Sequence, residues 1–142
     1  MISFFKNIKK SKTDKKISLS KIASLLIHVA KIDQDYTKKE EEIIKQTLIE
    51  LGANKLHIDE LISDAAIMEE NSNQILDYTK EIKEMAEKDK IKIVESLWKI
   101  IYSNDVSDMY ESSLMRRLAG LLYIDTKTMG HLKEKAKKEL LK

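Results

Sequence analysis

Side chains able to do chemistry gather at two places in the chain. Asp33, Asp35 and Glu40 fall within one eight-residue window, and Asn104, Asp105, Asp108 and Glu111 within another. Oxygen donors of this kind suit a hard divalent cation such as Ca²⁺, Mg²⁺ or Mn²⁺ rather than zinc. The candidate metal ligands are therefore Asp33, Asp35, Glu40, Asp105, Asp108 and Glu111. Some of them also have a purely structural use. Thr37 and Glu40 spell a T-x-x-E capping box, and Asp108 with Glu111 a D-x-x-E helix start. A cap stabilises a helix by about 1 kcal/mol, and acids there also suit the helix dipole. Asp33, Asp35, Asn104 and Asp105 have no such local task.

Other chemistries find less support. D-x-D-x-T at 33–37 mimics the opening of a helix–loop–helix calcium site. Lys38 then stands where the turn glycine is needed, and Ile44 where the bidentate glutamate belongs, so that motif is rejected. There is no glycine-rich phosphate loop, H-E-x-x-H or G-x-S-x-G. Three scattered histidines and no cysteine leave few nucleophile–base pairs, so no catalytic residue is assigned. His28 lies beside the apolar face of its helix, the place of a packed neighbour rather than a ligand, and His57 reads as a surface residue.

The elements that must position the acidic turns are helices. The 142 residues allow one domain with a real core; they include no proline, three glycines and 35% charged residues. Apolar residues recur at helical spacing. The pattern predicts helices at about Ser18–Ile32, Thr37–Leu51 with Gly52 as the stop, Leu56–Glu70, a shorter one from Ser72 or Asn73 through Met85, Asp89–Tyr102, Asp108–Leu122, and a last one from Asp125 or Thr126. The first presents Leu19, Ile22, Ala23, Leu26, Val29 and Ala30 on one face. The fifth presents Ile91, Val94, Leu97, Trp98 and Ile101, with Trp98 the largest single apolar surface.

A shift of 71 positions brings the two halves into register. Ala23 falls on Val94, Leu26 on Leu97, Ala30 on Ile101, Ile44 on Met115, Leu51 on Leu122, Leu61 on Leu132 and Ala65 on Ala136. The caps coincide as well, Thr37 on Asp108 and Glu40 on Glu111. The expected architecture is all-α, with about seven helices in two similar three-helix halves joined by the fourth helix.

Residues 1–16 form a separate segment ahead of the helical domain at 17–142. Ile2, Phe4, Phe5 and Ile8 are interleaved with Lys6, Lys9, Lys10, Lys12, Lys15 and Lys16, against Asp14 alone. Such a segment reads either as a tail covering a gap in the bundle or as a peripheral membrane contact. No signal-peptide core and no run of 18 apolar residues occurs. Cytoplasmic placement, with a membrane-peripheral variant, is the expectation. A net charge of +2 argues against a nucleic-acid partner.

At Leu97-Trp98, Ser103-Asn104-Asp105, Tyr110-Glu111 and Arg116-Arg117-Leu118-Ala119-Gly120-Leu121-Leu122, the chain resembles the TerB-like (tellurite resistance protein B) superfamily, in particular its compact single-domain bacterial members. The family pattern is an L-W helix, an A-D-G turn, Y-E, then R-R-[IL]-A-x-L-L. The first half has its matching turn at Ile32-Asp33-Gln34, with Glu40 seven positions after Asp33. The resemblance spans about residues 17–140. It implies an all-α fold in two halves, a role in tellurite or general stress response, acidic positions that hold a divalent cation, and links to membrane-associated complexes. Asp33, Glu40 and Glu111 keep the acidic pattern. Asn104 replaces an aspartate, and Asp105 and Gln34 replace glycines. Arg116 and Arg117 match the family as well, and would either pair with acids of the bundle or meet an anionic partner.

The leading expectation is a non-enzymatic interaction or stress-response module with an unidentified protein partner and a divalent cation at the acidic turns. The alternative is a peripheral membrane adaptor anchored by residues 1–16, and a metal-dependent hydrolase stands third.

Overall fold

The computed structural model describes residues 19–32, 36–71, 76–103 and 109–140, with the side chains of 76, 109–112 and 140 excepted. The basic–apolar segment 1–16, Asp33, Asp35, Asn104, Asp105, Asp108 and the caps sought at Ser72 or Asn73 lie outside the described residues. Seven α-helices are described, and no strand occurs among the described residues. They are α1 (19–30), α2 (Lys38–Glu50), α3 (Ile58–Glu70), α4 (Leu76–Ile82), α5 (Glu87–Tyr102), α6 (Met109–Leu121) and α7 (Thr126–Leu140), with a 3₁₀ turn at Lys55–His57 leading into α3. No helix among the described residues is long and apolar enough to cross a membrane.

The 71-residue repeat holds in the backbone. Moved by that offset, α2 covers α6 from end to end, and the 3₁₀ turn plus α3 falls on α7. The two helix ends close in the same way. Ala53 N donates to the Leu48 carbonyl at 2.9 Å, and Ile124 N to the Ala119 carbonyl at 2.8 Å. The next helix is then started alike, by the Asn54 side chain accepting from Leu56 N and the Asp125 side chain accepting from Lys127 N. Side chains at fixed offsets from helix ends bond the backbone groups that the helix itself leaves unpaired.

One core runs through both halves. The repeat partners Ala23 and Val94, Leu26 and Leu97, Ala30 and Ile101, Ile44 and Met115, and Ala65 and Ala136 are all buried in it. The two equivalent first helices, α1 and α5, are more deeply covered than a single stripe predicts. Leu25 and Ile27 in α1, and Ile93 and Ile100 in α5, are buried although they lie off the expected faces, while Ile91 is only half-buried. These helices have neighbours on more than one side. α5 packs on α7 and α2, and α1 meets α3 through Ser24 Oγ, 3.1 Å from the Ala65 carbonyl, and α4 through Lys21–Glu81 at 2.7 Å. Truncating a fully buried residue such as Leu97 to alanine costs about 2–5 kcal/mol.

Candidate functional site

Two polar residues on otherwise apolar faces meet where the halves join. Thr47 of α2 and Ser96 of α5 are both buried, and their hydroxyls hydrogen-bond to each other. Each also lies against a carbonyl one turn back in its own helix, Thr47 Oγ1 at 2.8 Å from Ile43 and Ser96 Oγ at 3.0 Å from Lys92. Helical carbonyls in this position keep buried hydroxyls satisfied without outside partners.

Beside this pair a groove of about 1070 Å³ opens between α2, α5 and α7. Lys39, Glu42, Gln46 and Glu50 line it from α2, and Lys88 and Lys92, one turn apart, from α5. Part of its lining is an ion-pair network. Lys99 reaches Glu139 at 2.6 Å and Glu95 at 3.5 Å, and Lys135 reaches Glu95 at 3.3 Å. The hydrogen bond from Lys99 holds the Glu139 carboxyl below its ordinary range. Burial works against the charged Lys99, but its bonds to Glu139 and Glu95 outweigh that and raise it. Lys39, Lys88 and Lys92 are exposed and have no carboxylate partner among the described residues. The groove therefore combines an ion-pair network with three lysines and two glutamates, Glu42 and Glu50, that have no ion pair among the described residues.

On α5, Trp98 and Tyr102 stack at 5.9 Å between ring centroids. Lys133 lies over the Trp98 ring at 5.5 Å and Lys137 over the Tyr102 ring at 5.2 Å. Trp98 is core, as expected, and each lysine sets its charge over the face of one ring of the stacked pair.

Of the six candidate metal ligands, Glu40 alone has a described side chain. It is fully buried and completes the capping box: Thr37 N donates to Glu40 Oε1 at 2.8 Å, and Glu40 N donates to Thr37 Oγ1 at 3.2 Å. Glu111 belongs to α6, with its side chain outside the described set, and Asp33, Asp35, Asp105 and Asp108 lie outside it altogether. No three His, Asp or Glu side chains converge as a metal centre among the described residues. Next to the first turn, burial chiefly, with Glu41 and Glu40 adding, pushes the Tyr36 hydroxyl up to about 12.

Arg116 and Arg117 are exposed, and neither forms an ion pair among the described residues. The repeat explains Arg116. Its equivalent, Lys45, bonds Asp59 of α3 at 2.9 Å, but the position equivalent to Asp59 is Gly130. His28 is a half-buried neighbour tied to α3, its Nδ1 3.2 Å from Glu69 Oε1, and Lys31 joins the same carboxylate at 2.8 Å. His57 is exposed. Sequence reasoning missed the groove. Its signals are Thr47 and Ser96, single hydroxyls on apolar faces, and the Lys88–Lys92 spacing, and they become one site only when residues 49 apart are brought together.

The family model for tellurite resistance protein TerB matches residues 19–134. No curated protein and no solved structure matches the chain.

Proposed function

The chain belongs to the TerB family, and from that premise we propose that it is a non-enzymatic interaction module of stress response whose protein partner seats in the groove between α2, α5 and α7. The observation that carries this reading is the set of three lysines, Lys39, Lys88 and Lys92, left without carboxylates among the described residues around a groove that also presents Glu42 and Glu50 without ion pairs. Mixed charge, an open mouth and few apolar side chains fit a polar polypeptide segment better than a small apolar ligand, which prefers an enclosed apolar pocket. Carboxylates of the partner would meet the three lysines, and its amides Gln46. A divalent cation at the acidic turns belongs to the same proposal. Asp33, Asp35, Asp105, Asp108 and Glu111 would hold it, with Glu40 already engaged by its capping box.

A photo-crosslinking residue placed at Gln46 of the full chain in cells tests the groove. One discrete protein adduct is expected, lost in Lys39→Glu/Lys88→Glu. No adduct, or an adduct indifferent to the charge reversal, rejects the reading.

A further inference from the structure

The third helices of the two halves, α3 and α7, are equivalent in the repeat yet opposite in charge. α3 carries Asp59, Glu60, Asp64, Glu69 and Glu70 and no basic residue, whereas α7 carries five lysines and two glutamates. The acidity of α3 is therefore not something the fold requires. Two of its acids are spent inside the bundle, Asp59 on Lys45 and Glu69 on Lys31 and His28. Asp64 and Glu70 have no ion pair among the described residues, and Glu60 has only His57 at 3.9 Å. On this outward face, in the last turn of α3, sits Ile67, 58% exposed, with Glu60, Asp64 and Glu70 one or two turns away, and Leu56 is 89% exposed just ahead of the helix. An apolar residue ringed by unspent acids is complementary to a segment that is both apolar and basic.

Such a segment precedes α1 in the same chain. α1 lies against α3 with a constant offset of 41, Ser24 facing Ala65 and His28 facing Glu69. The first residue of α1 thus comes level with Glu60 of α3. Eighteen residues span up to about 60 Å when extended, and α3 is about 20 Å long, so reach is ample. A short tether also gives an intramolecular partner an effective concentration in the millimolar range.

We propose that the acidic outer face of α3 is the docking surface for this chain's own basic–apolar segment, residues 2–10. Phe4, Phe5 and Ile8 cover Ile67 and Leu56, and Lys6, Lys9 and Lys10 face Glu60, Asp64 and Glu70. The same lysines would draw the segment to an anionic membrane, which α3 itself repels. Docking on α3 therefore withholds the segment from any other anionic surface, and a stronger one releases it.

The chain has no cysteine, so paired cysteines report this contact in the full-length protein. Asn7→Cys/Ser63→Cys, treated with a short bis-maleimide, is expected to give a product of monomer mass. Asn7→Cys/His131→Cys, on the outer side of α7, is expected to react several-fold less. Glu60→Lys/Asp64→Lys/Glu70→Lys in the first background should bring the yield down to that level. Equal yields at positions 63 and 131 would overturn the proposal. So would a product of dimer mass alone, which would assign the segment to a second copy. Equal yields together with pelleting on phosphatidylserine vesicles would make the segment a membrane anchor instead.

Discussion

Lys90 Nζ lies 3.1 Å from the carbonyl oxygen of Leu122, with the lysine all but 6% buried. Leu122 directly follows α6, so the ammonium sits at the negative end of that helix's dipole. The Lys83 carbonyl, just past α4, accepts from the same nitrogen at 3.4 Å, and Glu87 Oε2 lies 3.4 Å away. One side chain of α5 thereby ties down the ends of two other helices.

Lys90→Met keeps most of the stem volume and removes the donor. A hydrogen bond from a charged group contributes about 1.5–3 kcal/mol, and the buried Leu122 carbonyl would be left without that donor. Urea unfolding is expected to show a loss in that range. An unchanged midpoint would mean that water takes over the lysine's role.

Gly52 and Tyr123 occupy equivalent turns, 71 positions apart, and both have positive φ, 110° and 57°. Left-handed backbone costs an L-residue about 1–2 kcal/mol. Gly52→Ala is expected to destabilise by roughly that amount. Tyr123→Gly relieves the same strain but gives up the Lys83 contact over the ring, 5.5 Å from its centroid. It should stay within about 1 kcal/mol of the parent. Equal losses in the two variants, measured by thermal unfolding, would show that the turns are not equivalent in energy.

That pair marks how far the fold could be read from the chain. The repeat was legible because apolar spacing and cap types survive in both halves, and Gly52 announces its turn. Nothing in a tyrosine announces left-handed backbone, so the sequence carries no mark of the turn at Tyr123. Lys90 looks in sequence like one more solvated charge of a lysine-rich chain. Leu25, Ile27, Ile93 and Ile100 fall off a single apolar stripe, and only packing on several sides explains their burial. The groove was hidden for a different reason. Its hydroxyl pair and its lysines come from helices in different halves, and no local pattern links them.

Glu69 and Glu139 hold the ends of the third helices against α1 and α5. For Glu69 burial favours the neutral acid, but bonds from Lys31 and His28 outweigh it and lower the pKa. For Glu139 the Lys99 bond leads in the same direction. A carboxylate lowered on folding contributes stability that is present above its unfolded pKa, about 4.3, and is lost as pH falls through the folded value. Unfolding midpoints should therefore drop on acidification below about pH 4.5. Glu69→Gln and Glu139→Gln should flatten that acid limb, and an undiminished slope in both variants would place the acid sensitivity elsewhere.

The acidic turns call for a measurement that does not depend on their geometry. Glu40 is already used by Thr37, so a cation, if one binds as proposed, would be held largely by Asp33, Asp35, Asp105, Asp108 and Glu111. A ligand that binds only the folded chain at 100 times its Kd stabilises it by about 2.7 kcal/mol. After chelation, adding Ca²⁺, Mg²⁺ or Mn²⁺ is expected to raise the Tm by several degrees for one of the three. Asp33→Asn/Glu111→Gln removes one carboxylate from each turn and should abolish that rise while leaving the chelated Tm within a few degrees of the parent. A rise that survives the double variant would move the cation to another site. No rise with any of the three would leave the two turns as helix starts, with Thr37 and Glu40 showing how such a start is built.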